Sequence, residues 1–344
     1  MPELRRDPVT GRWVCLAPVR AERPEAPASK APESPSSVAG CPFCEGNEES
    51  TPPEVMAVRP GGGAADTPGW SIRVVPNLYP AFSDADGPAD LGNALHAYGP
   101  ALGACEVLIH SPDHSRWLPY LSDAQARLVM GTTWRRYLAH SISGVGSVVA
   151  LYNHGQAAGA SLAHPHGQVY ATRAVGPVLE EEYRGAEEAL KTLDACVFCR
   201  MIEEELAQGV RVIARTNQFV AITPYASRQP YECWILPTHH LADFGEAAEN
   251  VAGELGVFLK SVLWRLTAVA GEVPLNWYIH SLPNAAGDWR DSYHWHLEIR
   301  PKLTEIAGFE LATGTYVNTL APEVAAAALS AHAAPPTGES APRG

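Results

Sequence analysis

Apolar residues recur every three to four positions over 122–140, where Leu128, Val129, Trp134, Tyr137 and Leu138 fall on one face. Ser122 and Gln125 form a capping-box pattern at its start. The same period predicts helices over about 178–208, 246–270 and 321–331. Short runs rich in β-branched and aromatic residues predict strands at 71–75, 105–110, 147–152, 167–171, 219–223, 233–236, 277–280 and 294–299. Strands and helices segregate rather than alternate strictly, which predicts an α+β fold with antiparallel sheet over a parallel doubly wound one. The Pro/Ala/Ser stretch 24–39 predicts a mobile loop, and the last fifteen residues predict a disordered tail. Gly61-Gly62-Gly63 reads as a turn, because the Lys-Ser/Thr of a phosphate-cradling loop does not follow it.

One order of landmarks occurs twice. From Cys41-x-x-Cys44 the chain passes to Ser111-Pro112-Asp113-His114, a long helix, Tyr152-Asn153-His154 and His164-Pro165-His166. From Cys196-x-x-Cys199 it passes to Pro237-Thr238-His239-His240, a long helix, Trp277-Tyr278-Ile279-His280 and His294-Trp295-His296. The order predicts duplication and divergence, with halves at 1–177 and 178–331 and a tail from 332 to 344.

Composition narrows the function. The 344 residues are 46% hydrophobic and 18% charged, and 25 Lys+Arg against 38 Asp+Glu give a formal charge of −13. That balance argues against binding nucleic acid by bulk electrostatics and leaves room for a local anion site. No apolar run reaches the ~20 residues of a bilayer span, and the N-terminal residues lead into no signal-peptide core, so a soluble cytoplasmic protein is expected.

Seven cysteines without an export signal argue for metal or redox thiols rather than a disulfide framework. Cys15, Cys105 and Cys233 stand singly among apolar neighbours and read as small core residues. Each Cys-x-x-Cys pair can give two thiolates to one tetrahedral ion, and two distant histidines would close the site. The candidates are Cys41, Cys44, His114 and His164, then Cys196, Cys199, His240 and His294. Incidental buried thiols, or a redox pair that needs no histidine, are the alternatives.

The segment 159–169 concentrates the chemistry. Pro165 favours an extended His164, so His164, His166 and Gln168 project to one face of a strand. A metal on His164 would restrain His166, whose neutral imidazole is a nucleophile when its second nitrogen donates to a fixed acceptor. Gln168 can donate an amide N–H to a phosphoryl oxygen, and Ser161 with its small neighbours lets backbone donors approach an anion.

With these residues in this order, the sequence resembles the galactose-1-phosphate uridylyltransferase family, a branch of the histidine triad superfamily. The likeness also runs through Gly11-Arg12-Trp13-Val14, Arg20-x-x-Arg23-Pro24, Asn77-Leu78-Tyr79-Pro80, Asn153-His154-Gly155, Gly308-Phe309-Glu310 and Thr313-Gly314. It implies two histidine-triad-like halves, each an antiparallel sheet with flanking helices. It further implies that His166 takes a uridylyl group from UDP-glucose and passes it to galactose 1-phosphate. Gln168 and Ser161 would meet the phosphates, Asn77 and Asn153 the nucleotide, Glu310 the hexose hydroxyls, and Arg20 and Arg23 would bring positive charge. Zinc is implied at the first cluster, and zinc or iron at the second. Some relatives build their second metal site from a Glu and several histidines, here Glu182, His280, His294 and His296, whereas Cys196 and Cys199 point to a second thiolate site. The implied partners are a nucleotide sugar and a hexose 1-phosphate, with neither nucleic acid nor membrane, and the implied assembly is a homodimer. An adenylyl-transferring nucleotide-sugar phosphorylase or hydrolase of the same superfamily is the alternative enzyme. A zinc-stabilised nucleotide-binding module without catalysis is the alternative outside enzymes.

Overall fold

The computed structural model describes residues 3–18, 40–83, 91–92, 95–141, 146–282 and 289–332. The loop expected at 24–39 lies outside the described residues, as does the part of the expected tail beyond residue 332.

The strands in chain order are β1 (Glu3–Arg6), β2 (Trp13–Leu16), β3 (Met56–Val58), β4 (Ile72–Pro76), β5 (Leu91–Gly92), β6 (Ala97–Tyr98), β7 (Gly103–Ile109), β8 (Ser147–His154) and β9 (His166–Thr172). They continue as β10 (Val212–Arg215), β11 (Phe219–Ile222), β12 (Cys233–Pro237), β13 (Leu275–His280), β14 (His296–Pro301) and β15 (Tyr316–Asn318). Ten of them form one continuous sheet, β10-β11-β12-β14-β13-β8-β9-β7-β4-β3. Every neighbouring pair in it is antiparallel. The α+β expectation therefore holds, with the two half-sheets fused along β13 and β8.

Outward from that seam, each half of the sheet places its fourth, fifth, third, second and first strands in the same order. The landmarks repeat with it, since β9 begins at His166 and β14 at His296. A small second sheet sets β2 between β1 and β15.

The helices are α1 (Asp123–Ser141), α2 (Pro177–Leu193), α3 (Val197–Gln208), α4 (Glu249–Ala270), α5 (Gly308–Thr313) and α6 (Pro322–Ser330). The single helix expected over 178–208 is two, because Asp194 caps α2 at a left-handed φ of 52°. Short polar Asp tolerates that conformation, which ends a helix. At α1, Gln125 N–H donates to Ser122 Oγ at 3.2 Å as expected, but the Gln125 amide does not turn back toward the cap. It donates instead to Ser71 O and His110 O at 2.7 and 2.6 Å, tying the helix start to the sheet.

Helices α1 and α4 cross over one face of the sheet and close the main core around Trp117, Tyr137, Leu259, Trp277 and Trp295. A Cβ at Gly256 would stand 2.1 Å from Ala126 O, so glycine permits the close approach. The buried Lys260 donates to Asp123 at 2.7 Å across the same crossing. Cys105 and Cys233 are buried as expected, whereas Cys15 is half-buried in the small sheet. No helix among the described residues is long and apolar enough to cross a membrane.

Candidate active site and metal clusters

His166 opens β9, opposite Ile109 of β7, and is only 5% exposed. Its Nδ1–H donates to His164 O at 2.8 Å. That bond selects the tautomer whose Nε2 keeps its lone pair. Burial lowers the His166 pKa from the ordinary 6.5, so the imidazole is neutral at neutral pH. Phe43 lies edge-on to it, ring centres 5.1 Å apart. The reason for glycine at 167 is on the other face, where a Cβ would come within 2.9 Å of the buried His110 ring.

A cleft of about 750 Å³ lies in front of His166. Gln168 and Tyr170 line it from β9, Leu151 and Asn153 from β8, and Asn77 and Tyr79 from the loop after β4. Ser161 and Gly159 close one side, and Phe43 with Ser50–Pro52 closes another. Tyr170 OH donates to Gln168 Oε1 at 2.9 Å, which leaves the Gln168 amide nitrogen as donor. Asn77 Oδ1 accepts the Tyr79 N–H at 2.9 Å and shapes its own turn.

Of the substrate contacts implied by the resemblance, Asn77, Asn153, Ser161 and Gln168 thus meet at one cleft with His166. Glu310 does not line it: the side chain accepts the Ala307 N–H at 3.1 Å and caps the short α5. Arg20 and Arg23 lie outside the described residues. Phe43, Tyr79 and Tyr170 line the cleft without a role expected for them from sequence. For Tyr170 a signal was present, since it follows Gln168 by two residues on an alternating strand.

Beside the cleft, Cys41, Cys44, His114 and His164 bring their ligand atoms within 4.8 Å of one another. Cys44 Sγ is 3.2 Å from His114 Nδ1 and 3.6 Å from His164 Nδ1, and Cys41 Sγ is 3.8 Å from the latter. Ligands at ~2.0–2.3 Å from a tetrahedral zinc lie roughly 3.3–3.8 Å apart, so the donor set and spacing fit that ion. His164 Nε2–H donates to Ser111 O at 2.9 Å, which turns Nδ1 toward the thiols.

The second cluster repeats this design. Cys199 Sγ lies 3.4 Å from His240 Nδ1 and 3.6 Å from His294 Nδ1, with Cys196 in the same group. His240 Nε2–H and His294 Nε2–H donate to Arg290 O and Pro237 O at 2.9 and 3.0 Å. His294 therefore belongs with the thiols, and the set Glu182, His280, His294 and His296 is not assembled. Glu298 takes the fourth place beside Glu182, His280 and His296 in a fully enclosed group. There His280 Nδ1–H donates to Glu182 at 2.9 Å, Tyr293 OH donates to the same carboxylate at 2.9 Å, and Arg228 pairs with Glu298 and Glu232. Oxygen and imidazole donors are a set that iron or zinc takes, and Arg228 already neutralises one carboxylate here.

The cleft wall at Ser50–Pro52 is braced by a buried ion network. Glu54 accepts from Arg59 at 2.6 and 2.8 Å and from Arg73 at 2.9 Å, and Arg73 also reaches Asp66 at 2.5 Å. The Arg59 guanidinium pulls the Glu54 carboxyl down from 4.5 to about 2. A depressed carboxyl pKa contributes stability that is complete above the ordinary value and is lost as pH falls through the folded value. Glu54→Gln is expected to lower stability at pH 7 by about 3 kcal/mol, because it strands buried guanidinium charge. Urea midpoints measured in parallel should converge between pH 4.5 and about 2, and a gap that persists unchanged there would remove Glu54 as the charged partner.

The family described as galactose-1-phosphate uridyl transferase, N-terminal domain, matches residues 1–176. An ADP-glucose phosphorylase from Arabidopsis thaliana is 32% identical over 330 residues, covering 94% of this chain and 90% of the relative. A galactose-1-phosphate uridylyltransferase from Thermotoga maritima is 27% identical over 341 residues, covering 95% and 97%. Among solved structures, an Arabidopsis thaliana ADP-glucose phosphorylase with bound ADP-glucose superposes with a TM-score of 0.81 at 30% identity, covering 97% of this chain and 100% of that one. The chain belongs to the galactose-1-phosphate uridylyltransferase family.

Proposed function

We propose that this enzyme moves a nucleoside monophosphate from a nucleotide sugar to a phosphate-bearing acceptor through a covalent bond to His166. One observation carries the reading: Nδ1 of His166 is held by His164 O at 2.8 Å, so Nε2 is the nucleophilic nitrogen, in a cleft that also presents Gln168 and Ser161. Nε2 attacks the α-phosphorus, an N–P bond forms, and the bond from phosphorus to the bridging oxygen breaks. Sugar 1-phosphate departs with that electron pair. A phosphate oxygen of the acceptor then attacks the same phosphorus, the P–N bond breaks, and the neutral imidazole returns. Leaving group and nucleophile are both phosphates, so no carboxylic acid pair is required for proton transfer. The imidazolium-like charge of the intermediate is met by the fixed His164 carbonyl, and the Gln168 amide steadies charge on the phosphoryl oxygens.

In this reading zinc would be held by Cys41, Cys44, His114 and His164 and by Cys196, Cys199, His240 and His294. Four protein ligands close each site, so the metal supplies cross-linking rather than chemistry. The family name supports UDP-glucose as donor and galactose 1-phosphate as acceptor. A second reading, ADP-glucose with inorganic phosphate, is favoured by the identity to the plant enzyme and the superposition on it.

The test is the mass of the denatured protein after mixing with UDP-glucose or ADP-glucose alone. A uridylyl adduct on His166, discharged by galactose 1-phosphate, is expected from the first reading, and an adenylyl adduct discharged by phosphate from the second. No adduct with either donor would remove the covalent mechanism.

A further inference from the structure

The seam between the two half-sheets passes next to the cleft. Asn153 of β8 and Asn276 of β13 face each other directly in register. Asn276 is half-buried and is not one of the cleft-lining residues, whereas Asn153 is. The Asn276 Nδ2 donates to two acceptors, Asn153 Oδ1 at 2.7 Å and Ala158 O at 2.8 Å.

The second of these bonds decides the first. Ala158 O is a backbone carbonyl and can only accept, so the Asn276 atom near it is the amide nitrogen. That nitrogen also faces the Asn153 side chain, whose nearer atom must therefore be the oxygen. Asn153 is left with its NH₂ turned away from the seam, 3.8 Å from where a Gly159 Cβ would stand, along the cleft side formed by Gly159 and Ser161. Gly159 itself has a φ of +93° and ends the short turn at Gln156–Ala158 that Asn276 anchors through Ala158 O. One amide in the second half of the chain thus sets both the polarity of Asn153 and the placement of the loop that carries Ser161.

We propose that Asn276 is a positioning residue for nucleotide binding, which holds Asn153 as a hydrogen-bond donor toward the bound nucleotide. The assignment rests on the cleft being the nucleotide site. Asn153 presents N–H rather than C=O, so it suits the acceptor atoms of a phosphate, a ribose oxygen or a base carbonyl.

Two substitutions separate this from a packing role. Asn276→Ala removes the constraint and lets Asn153 adopt either orientation. Asn276→Asp keeps the size but offers only acceptors, so Asn153 must turn its NH₂ to the seam and its oxygen to the cleft. Binding of UDP and of ADP, which cannot complete the sugar transfer, is titrated calorimetrically on the metal-loaded proteins, with thermal midpoints alongside. Asn276→Ala should weaken the tighter of the two about threefold, and Asn276→Asp about tenfold or more, in line with the loss or reversal of one polar contact. At saturating nucleotide sugar the His166 adduct should still form in both variants, with the loss falling on KM more than on kcat. Equal effects of the two variants, a larger effect for alanine, or unaltered affinity in both would overturn the assignment while leaving the nucleotide reading intact. Failure of the unaltered protein to bind either diphosphate would overturn both. If Asn276→Asp proves unfolded, Asn153→Asp makes the same reversal from the cleft side, and unaltered affinity there counts against the proposal in the same way.

Discussion

Replacing His166 with asparagine is expected to slow nucleotidyl exchange by more than about 10⁴-fold, with metal content unchanged and the thermal midpoint lowered by a few degrees at most. The size follows from the role. A nucleophile that forms the covalent intermediate has no substitute in its own site, and removing one member of such a unit costs nearly as much as removing all. The fold is expected to survive because His166 holds no metal in the proposed scheme. Its ring faces the cleft, so truncation widens an existing opening rather than hollowing the core. Exchange is read by transfer of label between nucleotide sugar and sugar phosphate, and the variant should show no nucleotide adduct by mass. Turnover like that of the unaltered protein, in a preparation shown to be free of it, would assign the chemistry to another group. His296 is the residue to examine then, since it occupies the same place in the second half and its Nδ1 likewise faces the carbonyl two residues back, at 3.2 Å from His294 O. The two positions differ in surroundings. In front of His166 lies an open cleft, whereas His296 is enclosed by Glu182, Glu298 and the Trp234 ring.

Local repetition is what makes this site legible in the amino-acid sequence. His164, His166 and Gln168 alternate on one strand, and alternation alone puts them on one face. The Cys-x-x-Cys pairs and their histidines are legible because the same order occurs twice, so each copy supports the other. The eight strands read from the chain all appear within a few residues of their places, because each is buried enough to carry β-branched or aromatic enrichment, as in the four fully buried residues Phe219–Ile222. The strands Glu3–Arg6 and Tyr316–Asn318 escape for the opposite reason. They are short and mostly exposed or half-buried, and β2 between them is held by neighbours from both ends of the chain, pairings that no local pattern records. The amide pair Asn153–Asn276 spans 123 residues, and Arg73 meets Glu54 across a turn that its strand pattern does not foretell. Such contacts depend on the register of the finished sheet, and register is set by all the strands together.

The largest effect on stability is expected at the first thiolate cluster. Cys41→Ser should release one metal equivalent, lower stability by several kcal/mol and abolish exchange, while Cys196→Ser should also release one equivalent but retain more activity. A neutral serine hydroxyl is a poor zinc ligand, and the free energy of a structural metal is folding free energy, ~10 kcal/mol or more in small domains. The difference in activity follows from position. His164 of the first cluster is two residues from His166, and its carbonyl is the acceptor that fixes the His166 ring, so loosening His164 frees both the backbone and the tautomer of the nucleophile. In the second cluster the corresponding carbonyl faces His296, on the far side of the seam from the cleft. Exposure adds an order of events. Three of the four first-cluster residues are buried, whereas in the second Cys199 is half-buried and His240 exposed. A chelator should therefore strip the second site first, with release of the first equivalent of metal preceding the fall in activity. Metal analysis and exchange rates on each variant, followed through a chelator titration, check the sequence. Two equivalents retained in Cys41→Ser would remove that ligand, and activity lost with the first equivalent would show that the nucleophile depends on the second cluster as well.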